Sequence, residues 1–280
     1  MFKKNNITKI LSELKKKKMV ALVAPSFVAD FEYPNIINYL REMGFDKVVE
    51  LTFGAKMVNR EYRKILENNP DKLLISTACP GIVNTIKNNF PEYSENLIPV
   101  DSPMIAMAKI CKKHFPKHKT VFISPCDLKK LEAEKSKYVD YVIDYDQLRE
   151  IINKIKIKNP PKEILFDKFY NDYTKIYPLS GGLSKTAHLK GVIKKNEIIV
   201  IDGINEVLKF LKKPDKKIKF LDVLFCDGGC IGGPHTLKIS IKEKKKKVLN
   251  YLKESKKEDI PENRKGLLEK AEGINFIKKY

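Results

Sequence analysis

The stretch from Leu221 to Pro234, LDVLFCDGGCIGGP, constrains the fold more than any other part of the chain. It begins as an apolar run typical of a buried strand, and the glycines that follow permit positive φ angles and close approach of the backbone to a bulky group. Cys226 and Cys230 lie at this glycine turn, where both thiols can bind one metal centre. The stretch therefore predicts a strand that ends in a metal-binding turn.

Strand-like apolar runs alternate with helical segments along most of the chain. A helix over residues 7 to 18 precedes the strand-like MVALVAPS, and a second helix has Pro34 at its start and Gly44 just past its end. Alternation of this kind indicates parallel strand pairing. We therefore predict an α/β fold of two lobes, with mainly parallel sheets flanked by helices.

These elements divide the chain into three predicted parts. The stretch 154–167, which contains two consecutive prolines and no clear period, is the expected long connection. The predicted parts are an N-terminal helix over 1–18, a main domain over 19–245 with lobes at roughly 19–115 and 116–245, and a helical tail over 246–280.

The charge balance bears on possible partners. The chain has 55 Lys and Arg against 35 Asp and Glu, a net charge of +20, which suits nucleic acid or an acidic protein. The lysines are spread along the chain without interleaved aromatics, so nucleic acid is an unexpected partner, and a merely solvated surface is the alternative to an acidic electron-transfer partner. No apolar run reaches the roughly 18 to 20 residues that cross a bilayer, and MFKKNNITKI lacks a secretory h-region, so we expect a cytoplasmic protein without a membrane partner.

Four of the five cysteines follow predicted strands. The carboxyl ends of strands are where open α/β sheets bind ligands, so these thiols can converge on one site. A single buried cysteine is more often a small hydrophobic residue, and Cys111, which shares an apolar helix face with two methionines, is predicted to lie in the core. The candidate ligands are Cys79 after LLISTA, Cys126 after VFISP, and Cys226 and Cys230 after LDVLF.

Zinc and a four-iron cubane both suit four thiolates. The gap between Cys226 and Cys230 fits a zinc knuckle, but zinc sites usually supply a second close pair, and Cys79 and Cys126 are far apart in the sequence. This favours a site that is assembled by the whole fold. The four histidines have no ligand spacing and stay outside the predicted site.

Several motifs together resemble, in order and separation, the catalytic domain of the iron-only hydrogenases over roughly residues 19–240. The resemblance implies two lobes with parallel sheets. It also implies a 4Fe-4S cluster in the cleft, joined through one cysteine to a diiron centre that bears CO, cyanide and dithiolate ligands. The motifs are VAPS at Val23–Ser26, STACPG around Cys79, ISPCDLKKLE around Cys126, PLSGGLS around Gly181 and Gly182, and LFCDGGCIGGP around Cys226 and Cys230.

The resemblance also implies roles for individual residues. A lysine ammonium is a compact triple donor that suits a cyanide acceptor in a dry cavity, although one lysine among so many can also be a surface residue. The implied roles are cubane ligation by Cys79, Cys126, Cys226 and Cys230, a bridge to the diiron centre at Cys230, a hydrogen bond to one cyanide from Lys129, contact with the other cyanide at Pro25 and Ser26, and backbone packing at Gly181 and Gly182.

The departures from the family pattern point to its divergent or sensory branch. Ala78 stands where catalytic members have a proton-donating cysteine, and alanine cannot relay a proton. Ser124 and Leu224 replace methionines, Asp227 replaces a proline, and no cysteine precedes Cys79 to form ferredoxin-like clusters.

Two functions stay open. The first is an iron-only hydrogenase-type oxidoreductase that activates H2, reversibly with protons and electrons, and whose turnover can be slow enough for sensing, with ferredoxin or an iron-sulfur subunit as its electron partner. The second is a non-catalytic 4Fe-4S protein with a structural or partner-binding role, and a zinc-stapled interaction protein is a third interpretation.

Overall fold

Two parallel sheets form the framework of the computed structural model, which describes residues 7–154 and 165–280. All of their strand pairings are parallel, which confirms the predicted fold class. The first sheet has the order β2 (Lys47–Glu50), β1 (Met19–Val23), β4 (Lys119–Ser124), β5 (Tyr141–Asp144), and the second has the order β3 (Leu74–Ile75), β7 (Phe220–Leu224), β6 (Ile198–Asp202).

Helices cover the faces of both sheets. Among the described residues they are α1 (Ile7–Leu14), α2 (Asn35–Glu42), α3 (Thr52–Glu67), α4 (Pro80–Asn89), α5 (Pro103–His114), α6 (Asp127–Glu134), α7 (Tyr145–Lys154), α8 (Gly182–Thr186), α9 (Ile204–Lys212) and α10 (Ile241–Ser255). No helix in 7–154 or 165–280 combines the length and hydropathy needed to cross a membrane.

The core consists of alternating layers of helix and sheet. Every residue of β1 is buried, because helices cover the first sheet on both faces. Val20 and Leu22 face a cluster that contains α3, α5 and Phe220 of the second sheet, so α3 and α5 lie between the sheets. Residues of α2, α7 and α10 cover the outer face of the first sheet, and residues of α4 and α9 cover the outer face of the second.

The sheets do not divide the chain at residue 115, the predicted boundary between lobes. β4 and β5 belong to the first sheet with β1 and β2, whereas β3 pairs with β7 of the second sheet. Leu74 is in register with Phe220, so a pairing between distant strands interleaves the two halves. The predicted lobes group consecutive strands, which are usually neighbours, and this chain departs from that tendency.

The ends of the chain also differ in part from the prediction. The predicted boundary at residue 245 falls inside α10, and the tail is α-helical only to Ser255, after which it continues as loops and short 3-10 turns. Its last segment packs on the body of the protein, where Phe276 is buried and its carbonyl accepts a hydrogen bond from the backbone N–H of Asp101. Most of the predicted connection over 154–167 lies outside the described residues.

Candidate metal centre

The four candidate thiols are carried by three loops that follow strands. Cys79 follows β3 and precedes α4, Cys126 follows β4 and precedes α6, and Cys226 follows β7. Cys230 lies in the 3-10 segment Gly229–Gly232 just beyond. Because parallel strands end at the same edge, β3 and β7 present Cys79 and Cys226 from the second sheet, and β4 presents Cys126 from the first.

The thiols are close enough to change one another's pKa. Burial raises the pKa of Cys226 to about 12, and the Cys126 and Cys79 thiols contribute to this rise. Burial also raises the pKa of Cys230, where the Cys79, Cys126 and Cys226 thiols all add to the effect. Such electrostatic effects weaken with distance, so the structure places the four thiols in one region of the fold. Cys111 is fully buried in the core, as predicted.

The spacing of the thiols bears on which centre they suit. A tetrahedral zinc ion with Zn–S bonds of about 2.3 Å requires sulfurs roughly 3.8 Å apart. Within the described parts of the chain, three potential ligand atoms within 4.8 Å of one another occur at Asp127, Asp144 and His235, and the thiols form no such group. All five cysteines are free, so a disulfide does not account for their convergence.

Cys230 differs from the other candidate thiols in having an exposed residue surface. Desolvation by the surrounding protein is nevertheless the largest cause of its raised pKa. This combination indicates room beside the thiol. Four gathered thiols that are too far apart for one zinc ion, with space beside one of them, fit a cubane with a further group attached at Cys230.

The residues just before the Gly181–Gly182 turn pack directly against the segment that carries Cys230. The backbone N–H of Cys230 donates a hydrogen bond to the Pro178 carbonyl, at 2.8 Å. Gly229 has a φ of +77°, and a Cβ there would lie 2.6 Å from the same carbonyl oxygen. Only glycine allows this approach of two backbones, which fixes Cys230 beside the turn.

Pro25 and Ser26 also lie beside the cysteine segment. They begin the 3-10 segment Pro25–Ala29, which follows β1 and packs against the 3-10 segment of Cys230. Ser26 is buried, and its hydroxyl lies 2.7 Å from that of Tyr145. Tyr145 was not predicted, although it directly follows β5 and so occupies the kind of position that identified the cysteines.

Lys129 is not a surface lysine. Only 13% of its side chain is exposed, and its ammonium donates to the Ala78 carbonyl at 3.2 Å and pairs with Glu132 at 2.6 Å. Its positive charge lowers the pKa of both Cys126 and Cys230, against the larger effect of burial. The side chain therefore points into the site. Glu132 was missed, although its i,i+3 spacing from Lys129 was visible in the sequence.

The position of Asp227 gives a physical reason for a carboxylate between the last two thiols. Its Oδ1 occupies the place where a Cβ would stand at Gly203, which precedes the first residue of α9. A negative charge at a helix N-terminus is stabilised by the helix dipole. The carboxylate is thus placed at α9, although it still contributes to the raised pKa of Cys226.

His235 lies at the edge of the site, where the sequence predicted no histidine. Its Nδ1 is 2.6 Å from Asp146 and its Nε2 is 2.9 Å from Asp127, which directly follows Cys126. The imidazole therefore joins the loop after Cys230 to the start of α6, directly after Cys126. The sequence held only an indirect indication of this contact: His235 and Asp127 each lie close in sequence to a candidate ligand.

Comparisons with known proteins identify a family for this chain. The family model described as "Iron only hydrogenase large subunit, C-terminal domain" matches residues 17–234. Iron hydrogenase 1 of Clostridium pasteurianum is 27% identical, with 76% of this chain and 48% of the relative covered. The cytosolic Fe-S cluster assembly factor NAR1 of Encephalitozoon cuniculi is 23% identical, with 70% and 61% covered. The chain spans about half the length of the first of these relatives.

Solved structures show the same fold. The structure of HydA(deltaEFG), reported for stepwise assembly of the FeFe-hydrogenase H-cluster, has a TM-score of 0.68 at 16% identity and covers 95% of this chain and 91% of its own. A variant of FeFe-hydrogenase HydA1 from Chlamydomonas reinhardtii has a TM-score of 0.68 at 16% identity and covers 93% and 90%. Since the family model spans all the segments that carry the four thiols, the chain belongs to the family of C-terminal domains of iron-only hydrogenases, as a divergent member.

Proposed function

We propose that this chain holds a 4Fe-4S cluster through Cys79, Cys126, Cys226 and Cys230, with a diiron centre attached at Cys230, and that it activates H2 slowly. The observation that supports this most is the convergence of thiols from both sheets beside a buried lysine. When bound, the cubane supplies electron exchange and the diiron centre, with its CO, cyanide and dithiolate ligands, supplies the place where H2 is cleaved to protons and electrons.

The protein contributes orientation and exclusion of water. Lys129 has three N–H donors, and within the described residues the Ala78 carbonyl and Glu132 use two of them, so one donor remains for an acceptor on the bound group. The 3-10 segment of Ser26 and the residues just before the Gly181–Gly182 turn pack beside the segment of Cys230. These residues would bind and orient the group.

Proton transfer is the step for which this chain is least equipped. Ala78 is buried directly before the first ligand, and its methyl group has no exchangeable proton. The nearest ionisable pair on its hydrogen-bonding path is Lys129 with Glu132, and these two groups are held to each other. We therefore expect slow turnover, as suits a sensor.

Restoring a thiol at this position tests the proposed function. In anaerobically matured protein, Ala78→Cys is expected to raise H2 uptake with methyl viologen at least tenfold, because a positioned general acid contributes roughly 10²- to 10⁴-fold. Ala133→Cys is the matched control, since Ala133 is an equally buried alanine on α6. If Ala78→Cys gives no gain over this control, the assignment of the slow proton step to position 78 is wrong.

A second candidate function is a non-catalytic 4Fe-4S protein that uses the cluster in a structural or partner-binding role. Ala78 and the Lys129–Glu132 ion pair favour it, because both remove routes for protons. The relative NAR1, named as an assembly factor, shows that proteins with another named role also resemble this chain. Four irons per chain without diatomic ligands would support this candidate.

We further propose an acidic electron-transfer partner, such as ferredoxin or an iron-sulfur subunit, and a cytoplasmic location. The net charge of +20 supports the partner, because complementary charge speeds the encounter of electron-transfer proteins. The lysines are distributed along the chain, which supports general attraction of an acidic protein rather than a dedicated binding arm.

A further inference from the structure

A cavity of about 580 Å³ lies between α3, the segment around Tyr173 and the end of α8. Its volume is in the range of pockets that enclose small molecules. None of its lining residues belongs to the proposed metal centre. The cavity therefore needs an explanation of its own, and its lining supplies three independent observations.

The first observation is a cationic stripe on α3. Lys56, Arg60, Arg63 and Lys64 all line the cavity, and their spacing places them on one face of the helix. Glu67 pairs with Arg63 and Glu61 pairs with Lys64, whereas Lys56 and Arg60 have no ion pair among the described residues. Burial together with the charge of Arg60 lowers the pKa of Lys56. An anion in the cavity would offset the repulsion between Lys56 and Arg60.

The second observation is an aromatic platform at the rim. The ring of Tyr173 stacks on that of His188, with centroids 4.6 Å apart and an interplanar angle of 6°. Tyr173 still exposes 41% of its surface, so its ring is available for a second stacking partner. His188 has a φ of +53° just past the end of α8, where glycine would fit without strain. Because histidine occupies a backbone conformation that favours glycine, we infer that the imidazole has a role beyond folding.

The third observation is a buried acceptor in the lining. Asn59 is 4% exposed and donates through Nδ2 to the Thr186 hydroxyl at 2.8 Å. Its Oδ1 has no hydrogen-bond partner in the parts of the chain that the structure describes. Buried polar atoms are rarely left unpaired, so a ligand that donates a hydrogen bond here would complete the site.

We propose that this cavity binds a nucleoside polyphosphate. The cationic stripe of Lys56, Arg60, Arg63 and Lys64 takes the phosphates, and Tyr173, backed by His188, stacks on the base. Arginine and lysine suit phosphate oxygens, and a base is the common ligand group that combines a flat π-face with hydrogen-bond donors. The proposal does not rest on the metal centre.

Isothermal titration of the purified chain with ATP and with GTP tests the proposal. We expect at least one of them to bind with a Kd below about 100 μM in roughly 0.1 M salt, and at least tenfold more tightly than pyrophosphate. Tyr173→Ala should raise the Kd about tenfold or more through loss of stacking. Arg60→Ala should raise it by about tenfold through loss of a charged contact.

The control is Lys245→Ala, which removes one positive charge from an exposed position on α10, outside the cavity. It should change the Kd by less than about twofold, since distant surface charges are screened. Arg60 is also exposed, so its loss does not threaten folding. Absence of saturable binding of both nucleotides, equal affinity for pyrophosphate, or equal effects of Arg60→Ala and Lys245→Ala would each overturn the proposal.

Discussion

Replacement of Cys126 by alanine is expected to lower the iron content of anaerobically matured protein from about six atoms per chain to below about one. Cys126 joins the first sheet to a centre whose other thiols follow strands of the second sheet, so its loss opens the site on one side. Metal binding is coupled to the ordering of the loops that carry the ligands. A site with only three of its four thiols should therefore release its iron. Iron analysis and absorbance near 400 nm measure the effect.

Cys111→Ala is the matched control for this experiment. Cys111 is a fully buried thiol on α5. It packs among hydrophobic core side chains and is not one of the proposed ligands. The variant should keep its full iron content and lose only a small part of its stability through a small cavity. Full iron in Cys126→Ala, or the same loss of iron in both variants, would contradict the assignment of the ligands.

Replacement of Lys175 by methionine is expected to lower the free energy of unfolding by about 3 to 5 kcal/mol, the usual result of breaking a buried ion pair. Both partners are enclosed, with 0% of the Lys175 side chain and 2% of the Glu50 side chain exposed, and they meet at 2.7 Å. Lys175 also donates to the Tyr251 hydroxyl, at 2.7 Å. The variant leaves Glu50 buried without its cation, so the destabilisation comes mainly from an uncompensated carboxylate.

Urea unfolding followed by circular dichroism measures this effect. The double variant Glu50→Gln with Lys175→Met should be more stable than Lys175→Met alone, because it removes the orphaned charge. Lys154→Met is the surface control, since Lys154 pairs with Glu150 in solvent and such pairs contribute little. If Lys175→Met and Lys154→Met unfold at the same urea concentration, the buried pair does not stabilise the fold.

The positions of the thiols could be predicted from local patterns. Apolar runs marked β4 and β7, and the cysteines directly after them had to lie at strand ends. The pairing of β3 with β7 could not be predicted in this way. Leu74 and Phe220 are far apart in the sequence, and no local pattern indicates that their strands are neighbours. Two parallel sheets were therefore expected, but which strands belong to each sheet could not be predicted.

The residues around the thiols were harder to predict than the thiols themselves. His235 and Tyr145 act through partners that only the folded chain brings near, and a single sequence does not show those contacts. The burial of Lys175 was hidden among 55 Lys and Arg residues, most of which suit a solvated surface. α6, whose sequence DLKKLEAE is mostly polar, has too weak an apolar stripe to stand out, although it carries Lys129.

The infrared spectrum of anaerobically matured protein, recorded together with its iron content, tests the central claim most directly. A cubane with a diiron centre at Cys230 predicts bands of CO and cyanide and about six irons per chain. A catalytic hydrogenase matured in parallel shows that the procedure installs the centre. Absence of CO and cyanide bands from this chain, under conditions that load the parallel protein, would contradict the account.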